Sequence, residues 1–225
     1  MLFKKIERAV EEHFAKDSFK LGNTMMGNMV FQYIGESGKI NKTSKLNKLF
    51  EFFGMEDIDD RVGGSQYSRI FRAADKSGFA MSKLANMPIQ PSILGAALHD
   101  YRLYDGKILN FKTFQERKKV DAANNGETYN AKDARTEWKN LEKESFFHML
   151  DLDQQTIEPN DKFKEYVRGK YGEVSDEIIY KEFLDMRYKI GAKAVTVLKR
   201  IDGLLNPTDP LMLQRNVIGS LTTLH

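Results

Sequence analysis

The stretch from Ser175 to Leu205 constrains the fold more than any other. Apolar residues recur there at Ile178, Ile179, Phe183, Met186, Ile190, Ala194, Val197, Leu198 and Ile201, the spacing of one helical face. Asp176 and Glu177 stand at its start and bases gather toward its end, as the helix dipole favours. Gly191 is a weak point in the middle. Asn206-Pro207-Thr208-Asp209-Pro210 stops it, because proline cannot continue the backbone ladder. A helix this long must bury its apolar face against other elements of the same chain.

Those elements read mostly as helices. In residues 2–19, Leu2, Phe3, Ile6, Val10 and Phe14 share a face, and Leu21-Gly22-Asn23 is expected to end that helix. Residues 24–35, with Met25, Met26 and Met29, predict a buried helix closed by Gly35 and Gly38. Thr43 or Ser44 is placed to cap a helix carrying Lys45 and Lys48 on one face, with Leu49, Phe50, Phe52 and Phe53 following. Met87-Pro88-Ile89-Gln90-Pro91 reads as a stiff loop between subdomains. Tyr104-Asp105-Gly106-Lys107 reads as a turn joining short strands around Leu103 and Ile108. From Asp121 to Asn130 the hydrophobic period disappears. Beyond it Asn130 caps a helix with Ala134, Trp138, Leu141, Phe146 and Leu150 at largely buried positions. The expected fold is all-α with at most one small β-hairpin. Its parts are an N-terminal arm or first helix (1–22), a basic N-lobe (23–120), a link (121–129), a helical C-lobe (130–205) and a tail (206–225).

Charge is segregated along this plan. Residues 61–120 hold eleven Lys/Arg against four acids, a net +7, whereas residues 1–60 carry −1 and residues 121–225 carry −3. The bases are Arg61, Arg69, Arg72, Lys76, Lys83, Arg102, Lys107, Lys112, Arg117, Lys118 and Lys119, interleaved with Tyr67, Phe71, Phe79, Tyr101, Tyr104, Phe111 and Phe114. Cations neutralise phosphates and rings stack on bases, so this composition suits a nucleic-acid surface. Within it Arg69, Arg72 and Lys76 follow the i, i+3, i+7 spacing of one helical side. The competing reading is a solvated basic face beside ordinary core aromatics.

Other chemistry finds little support. The chain has no cysteine, which excludes disulfides, thiolate nucleophiles and Cys-ligated metals and fits a reducing compartment. His13, His99, His148 and His225 lie in four different segments, outside metal-ligand spacing. Glu56-Asp57-Ile58-Asp59-Asp60 lacks the alternating ligands and central glycine of a calcium loop. No Gly-x-Ser-x-Gly elbow, dinucleotide fingerprint or phosphate loop occurs. No cofactor and no metal is implied, and the chain reads as not an enzyme. The N-terminus lacks the apolar run of a signal peptide and no stretch is long enough to span a membrane. The expected location is cytoplasmic.

Asp60-Arg61-Val62-Gly63, Tyr67-Ser68-Arg69-Ile70-Phe71-Arg72, Ser82-Lys83-Leu84-Ala85 ahead of Pro88, and Tyr188-Lys189-Ile190-Gly191 running into Val195-Thr196-Val197-Leu198-Lys199 carry a resemblance. They resemble stretches of the nucleocapsid proteins of segmented negative-strand RNA viruses of the bunyavirus group, the orthobunyavirus and tospovirus types above all. The resemblance implies two helical lobes with a basic RNA groove between them, and extended N- and C-terminal arms that link subunits. It puts Arg69, Arg72, Lys83, Arg187 and Lys199 on matching basic positions. It also implies a viral polymerase as a partner, and a place in the host cytoplasm and the virion.

The leading expectation is therefore a non-enzymatic protein that coats single-stranded RNA through phosphate contacts and forms a homo-oligomer, ring or filament. Self-association is assigned to the termini: Leu2, Phe3, Ile6, Val10 and Phe14 before the first glycine break, and Leu211, Leu213, Val217 and Ile218 after Pro210. A second reading is a phage or plasmid accessory protein acting through protein contacts, with no nucleic-acid role. A third is a hydrolase with a converging cluster of acids.

Overall fold

The computed structural model describes residues 8, 10–33, 44–55, 89–153 and 155–205. Helices dominate them: α1 (Lys16–Tyr33), α2 (Lys45–Phe53), α3 (Ile89–Asp100), α4 (Phe111–Asn124), α5 (Ala131–Asn140), α6 (Asp161–Tyr171) and α7 (Asp176–Leu205). Strands β1 (Tyr101–Tyr104) and β2 (Lys107–Asn110) form one antiparallel hairpin, in which Leu103 faces Ile108. A second pairing of two residues a side, β3 (Leu150–Asp151) with β4 (Glu158–Pro159), adds to the single hairpin expected. Short 3-10 turns cover Glu142–Glu144 and Phe146–Met149.

Side-chain caps set several boundaries. Ser44 accepts from the Asn47 N–H at the start of α2, and Gly54 ends that helix in the left-handed region, φ 67°. Asn110, Asn130 and Asn160 do the same for α4, α5 and α6 by accepting from Thr113, Lys132 and Phe163. The hairpin turn has positive φ at both central residues, Asp105 (46°) and Gly106 (67°), the conformation whose twist matches paired strands.

Helix α3 is the centre of the molecule. Every residue from Pro91 to Asp100 is buried, as expected of a helix that is apolar nearly all round. Pro91 sits in its first turn, where the missing N–H has no intrahelical partner to lose. The stiff loop expected at 87–91 is thus replaced from Ile89 onward by helix. Helices α1 and α7 pack on α3, and the main core joins Val10, Phe14, Leu46, Phe53, Leu94, Phe146, Phe163, Phe183, Ile190 and Val197. That core draws on residues from both sides of segment 121–129. A smaller cluster of Ala15, Phe114, Ala134 and Trp138 holds α4 and α5 together.

Gly22, expected to end a helix, and Gly191, expected to weaken one, prove to be contact points. Gly22 lies inside α1, and a Cβ there would overlap Ala96 N and Gly95 C of α3. Gly191 lies inside α7, where a Cβ would sit 2.7 Å from the Phe53 carbonyl oxygen. Helix α1 therefore runs on through Leu21-Gly22-Asn23, and the chain breaks instead at residues 12–15. The helix expected across 130–150 stops at Leu141 and continues as 3-10 turns. Residues 121–124 of the expected link complete α4. Among the described residues no helix is long and apolar enough to cross a membrane.

Candidate nucleic-acid interface

Of the bases assigned to RNA, Arg61, Arg69, Arg72, Lys76 and Lys83 lie outside the described residues, as do Leu2, Phe3, Ile6, Leu211, Leu213, Val217 and Ile218 of the terminal assignments. The described part of the basic segment runs from α3 through the hairpin to α4. Within it the charges divide into two kinds.

Arg102 is the buried kind, which corrects its assignment to RNA. Its side chain has no accessible surface. The Nε donates to the His99 carbonyl (2.9 Å), Nη1 to the Trp138 carbonyl, and Nη2 to Asp17 Oδ2 (3.0 Å) and Ser18 Oγ (3.2 Å). The guanidinium also lies 4.9 Å from the centre of the Trp138 ring. Strand alternation explains the direction: Tyr101 and Leu103 belong to one face of β1, and Arg102 points to the other. A neighbouring carboxylate extends the network. Asp100 is buried and accepts from the Ala15 N–H (3.0 Å) and from Lys193 Nζ (3.0 Å). Burial pushes its carboxyl upward, and Lys193 and the Ala15 amide oppose that. His99 accepts or donates at 3.2 Å with Ser145 Oγ. Burial, helped by His148 and Arg102, lowers its pKa to about 3, so it stays neutral.

Helix α4 holds the other kind, though only in part. Arg117 pairs with Asp105 and lies 5.6 Å from the centre of the Tyr104 ring. Lys118 bonds Glu137 (2.8 Å) and the Tyr104 hydroxyl (3.3 Å), and the Glu137 bond leads the upward shift of its pKa. Both are neutralised within the fold. Lys112 and Lys119 are exposed and have no ion pair among the described residues; the Lys119 ammonium lies 5.4 Å from the centre of the Tyr129 ring. Between α4 and α5 a cleft of about 250 Å³ is lined by Asp121, Glu127, Asp133 and Glu137 beside Lys118. Those carboxylates disfavour phosphate inside the cleft.

Helix α7 divides the same way. Arg187 donates from Nε to the Phe52 carbonyl and stacks its guanidinium 4.9 Å from the Phe52 ring centre. It thereby closes the C-terminal end of α2 while remaining half-buried. Lys199 is exposed. Burial leads the lowering of the His13 pKa, Arg200, Lys193 and Lys112 add to it, and Glu12 opposes it. Two of these cations are balanced by acids, Lys193 by Asp100 and Arg200 by Glu12.

At the N-terminus, Val10 is 1% and Phe14 3% exposed, both inside the main core. They are body residues of their own chain, which corrects their place among the self-association residues. Arg200 fastens the same stretch, pairing with Glu12 (2.5 Å) and reaching His13 Nε2 (3.0 Å).

Signs of catalysis are sparse in the described residues. His99 and His148, distant in sequence, lie with ring centres 6.0 Å apart, but both have lowered pKa values, with burial the first cause. An open cleft of about 410 Å³ is lined by Lys45, His148, Asp151, Asp153 and Asn160, and Lys45 is held there by Asp153 at 2.6 Å. No group of three or more His, Asp or Glu among the described residues is placed to hold a metal ion. Sequence reasoning missed Tyr188, the most exposed large ring among the described residues at 77%; the hint was its place off the apolar period of α7. Comparisons of the chain with protein-family models, curated proteins and solved structures find no match in any of the three.

Proposed function

We propose that this protein coats single-stranded RNA without catalysing a reaction, binding phosphates irrespective of sequence and assembling into homo-oligomers. The observation that carries the reading is the concentration of net +7 in residues 61–120, interleaved with seven aromatic residues, in a chain that is otherwise slightly acidic. Phosphate neutralisation releases counterions, and rings between the cations give stacking that every base can satisfy. Exposed Lys112 and Lys119 support it, because each offers an ammonium that no carboxylate of the described fold occupies. Self-association is left to Leu2, Phe3 and Ile6 and to the tail with Leu211, Leu213, Val217 and Ile218, since Val10 and Phe14 are occupied. A nucleocapsid role, with a polymerase partner and residence in host cytoplasm and virion, follows from the resemblance stated above and stands or falls with it.

The test is a salt titration of binding to a labelled single-stranded RNA by fluorescence anisotropy, comparing wild type with Arg69→Ala/Arg72→Ala. Each lost phosphate contact should flatten the slope of log K against log salt by roughly 0.7, equally for every base composition. Wild-type protein that purifies without nucleic acid and shows no salt-dependent RNA affinity would leave the protein-contact reading in its place.

A further inference from the structure

We infer that the outer face of α7 is a second contact for the same single-stranded nucleic acid, with Tyr188 as its stacking platform and Lys181 and Lys199 as phosphate contacts. The inference rests on the RNA reading above, and it assigns a surface that the basic middle segment does not contain.

The rotation of α7 is fixed from inside. Gly191 lies against the Phe53 carbonyl and Arg187 donates to the Phe52 carbonyl, so one side of the helix is locked to the end of α2. Ile179, Phe183, Met186, Ile190, Ala194 and Val197 fill the core side. Tyr188 is consequently turned outward. At 100° per residue, Lys181 precedes it by seven positions and Lys199 follows by eleven, which puts both within about 20° of its direction. Along the axis the two ammonium stems start about 10 Å before the ring and about 16 Å after it. All three side chains are exposed, and none has an ion-pair, hydrogen-bond or ring partner among the described residues.

A ring held open to solvent between two unpaired cations suits a ligand with alternating flat apolar groups and negative charges. A nucleic-acid strand has that alternation, since bases stack on the ring while phosphates reach the lysines. The acids of this face do not cancel the match. Asp185 is turned about 60° from Tyr188, and Glu177 shares the direction of Tyr188 within about 20° but stands about 16 Å from it along the axis, one turn before Lys181. Lys189 adds a third cation at the flank. An acidic protein surface would use the lysines but has no need of the ring.

The experiment is anisotropy binding of a labelled oligouridine of twenty nucleotides to wild type, Tyr188→Ala, Tyr188→Phe and Lys181→Ala/Lys199→Ala. Tyr188→Ala should weaken binding at least about fivefold with the salt slope unchanged, and Tyr188→Phe should stay near wild type because the ring remains. The lysine pair should lower the slope by about 1.4. Equal affinity of wild type and Tyr188→Ala would overturn the inference while leaving the RNA reading intact. Absence of binding by wild type would overturn both. If Tyr188→Ala instead changes the sedimentation of nucleic-acid-free protein and leaves RNA affinity as it was, the face is a protein contact and the inference is wrong. Circular dichroism of each variant establishes that the fold is retained, which the 77% exposure of Tyr188 favours.

Discussion

Arg102 and the pair Lys112 and Lys119 come from the same basic stretch and lie within twenty residues of one another, yet they have opposite fates. The arginine carries four hydrogen bonds and no accessible surface, while the lysines stand in solvent without an ion pair among the described residues. Segment charge counts both alike. The difference shows that a net charge reports how much cation a segment contains, while secondary structure decides which cations a ligand can reach. A β-strand turns alternate side chains inward, and a guanidinium with five fixed donors can satisfy several carbonyls there; an ammonium on an exposed helix face stays hydrated.

The comparison breaks most directly by substitution at both places. Arg102→Ala leaves Asp17, Ser18 and the His99 and Trp138 carbonyls without their donor, and should cost about 3–5 kcal/mol of stability in urea unfolding. Lys112→Ala/Lys119→Ala should stay within about 0.5 kcal/mol of wild type and act only on RNA, flattening the salt slope by about 1.4. A well-folded Arg102→Ala protein that loses RNA affinity would reverse the two roles.

A smaller effect tests how Arg102 reaches its partners. Asp17 and Ser18 belong to α1, which lies close to α3 only because Gly22 has no side chain. Gly22→Ala should push the helices apart and destabilise by about 1–3 kcal/mol, again without changing the salt slope of the α4 lysines.

The gentlest probe is pH. His99 is neutral in the fold, with its pKa lowered from 6.5 to about 3, so below pH 6.5 the unfolded chain binds a proton that the folded chain refuses. Stability should therefore fall as pH drops from 6.5 toward 3, by up to about 1.4 kcal/mol per pH unit from this group. His13 and His148, also lowered, add in the same direction. Asp100, raised by burial, opposes them from its ordinary value of 3.8 upward. In His99→Asn the slope measured by urea unfolding between pH 7.5 and 5 should be shallower than in wild type; an identical slope would show that His99 does not set it.

Sequence legibility followed local chemistry. The caps Ser44 and Asn130, the Asp105-Gly106 turn and the length of α7 depend on residues near each other in the chain, and the structure has them where the sequence puts them. Helix α4 escaped because only Phe114 is buried along it, leaving no apolar period to read. Gly22 was read as a break and Gly191 as a weak point because a missing side chain looks the same whether it frees the backbone or admits a neighbouring element. Of the candidate site, exposure of Lys112, Lys119 and Lys199 was legible as surface charge. The inward turn of Arg102 and Arg187 was not, since their acceptors are carbonyls and a carboxylate distant in sequence.

The Asp100 carboxylate, which accepts at once from Ala15 and Lys193, sets an order on biosynthesis. The chain emerges N-terminus first, at about 5–20 residues per second. For roughly ten to thirty-five seconds after Ala15 and Ser18 are made, the helix that supplies Lys193, and Arg200 to grip Glu12 and His13, does not yet exist. Until then Val10 and Phe14 lack part of their final cover, and the buried acid lacks its counter-charge. Closure of the body waits on α7, so a nascent chain stopped before Lys193 displays an apolar N-terminal stretch that the finished protein hides.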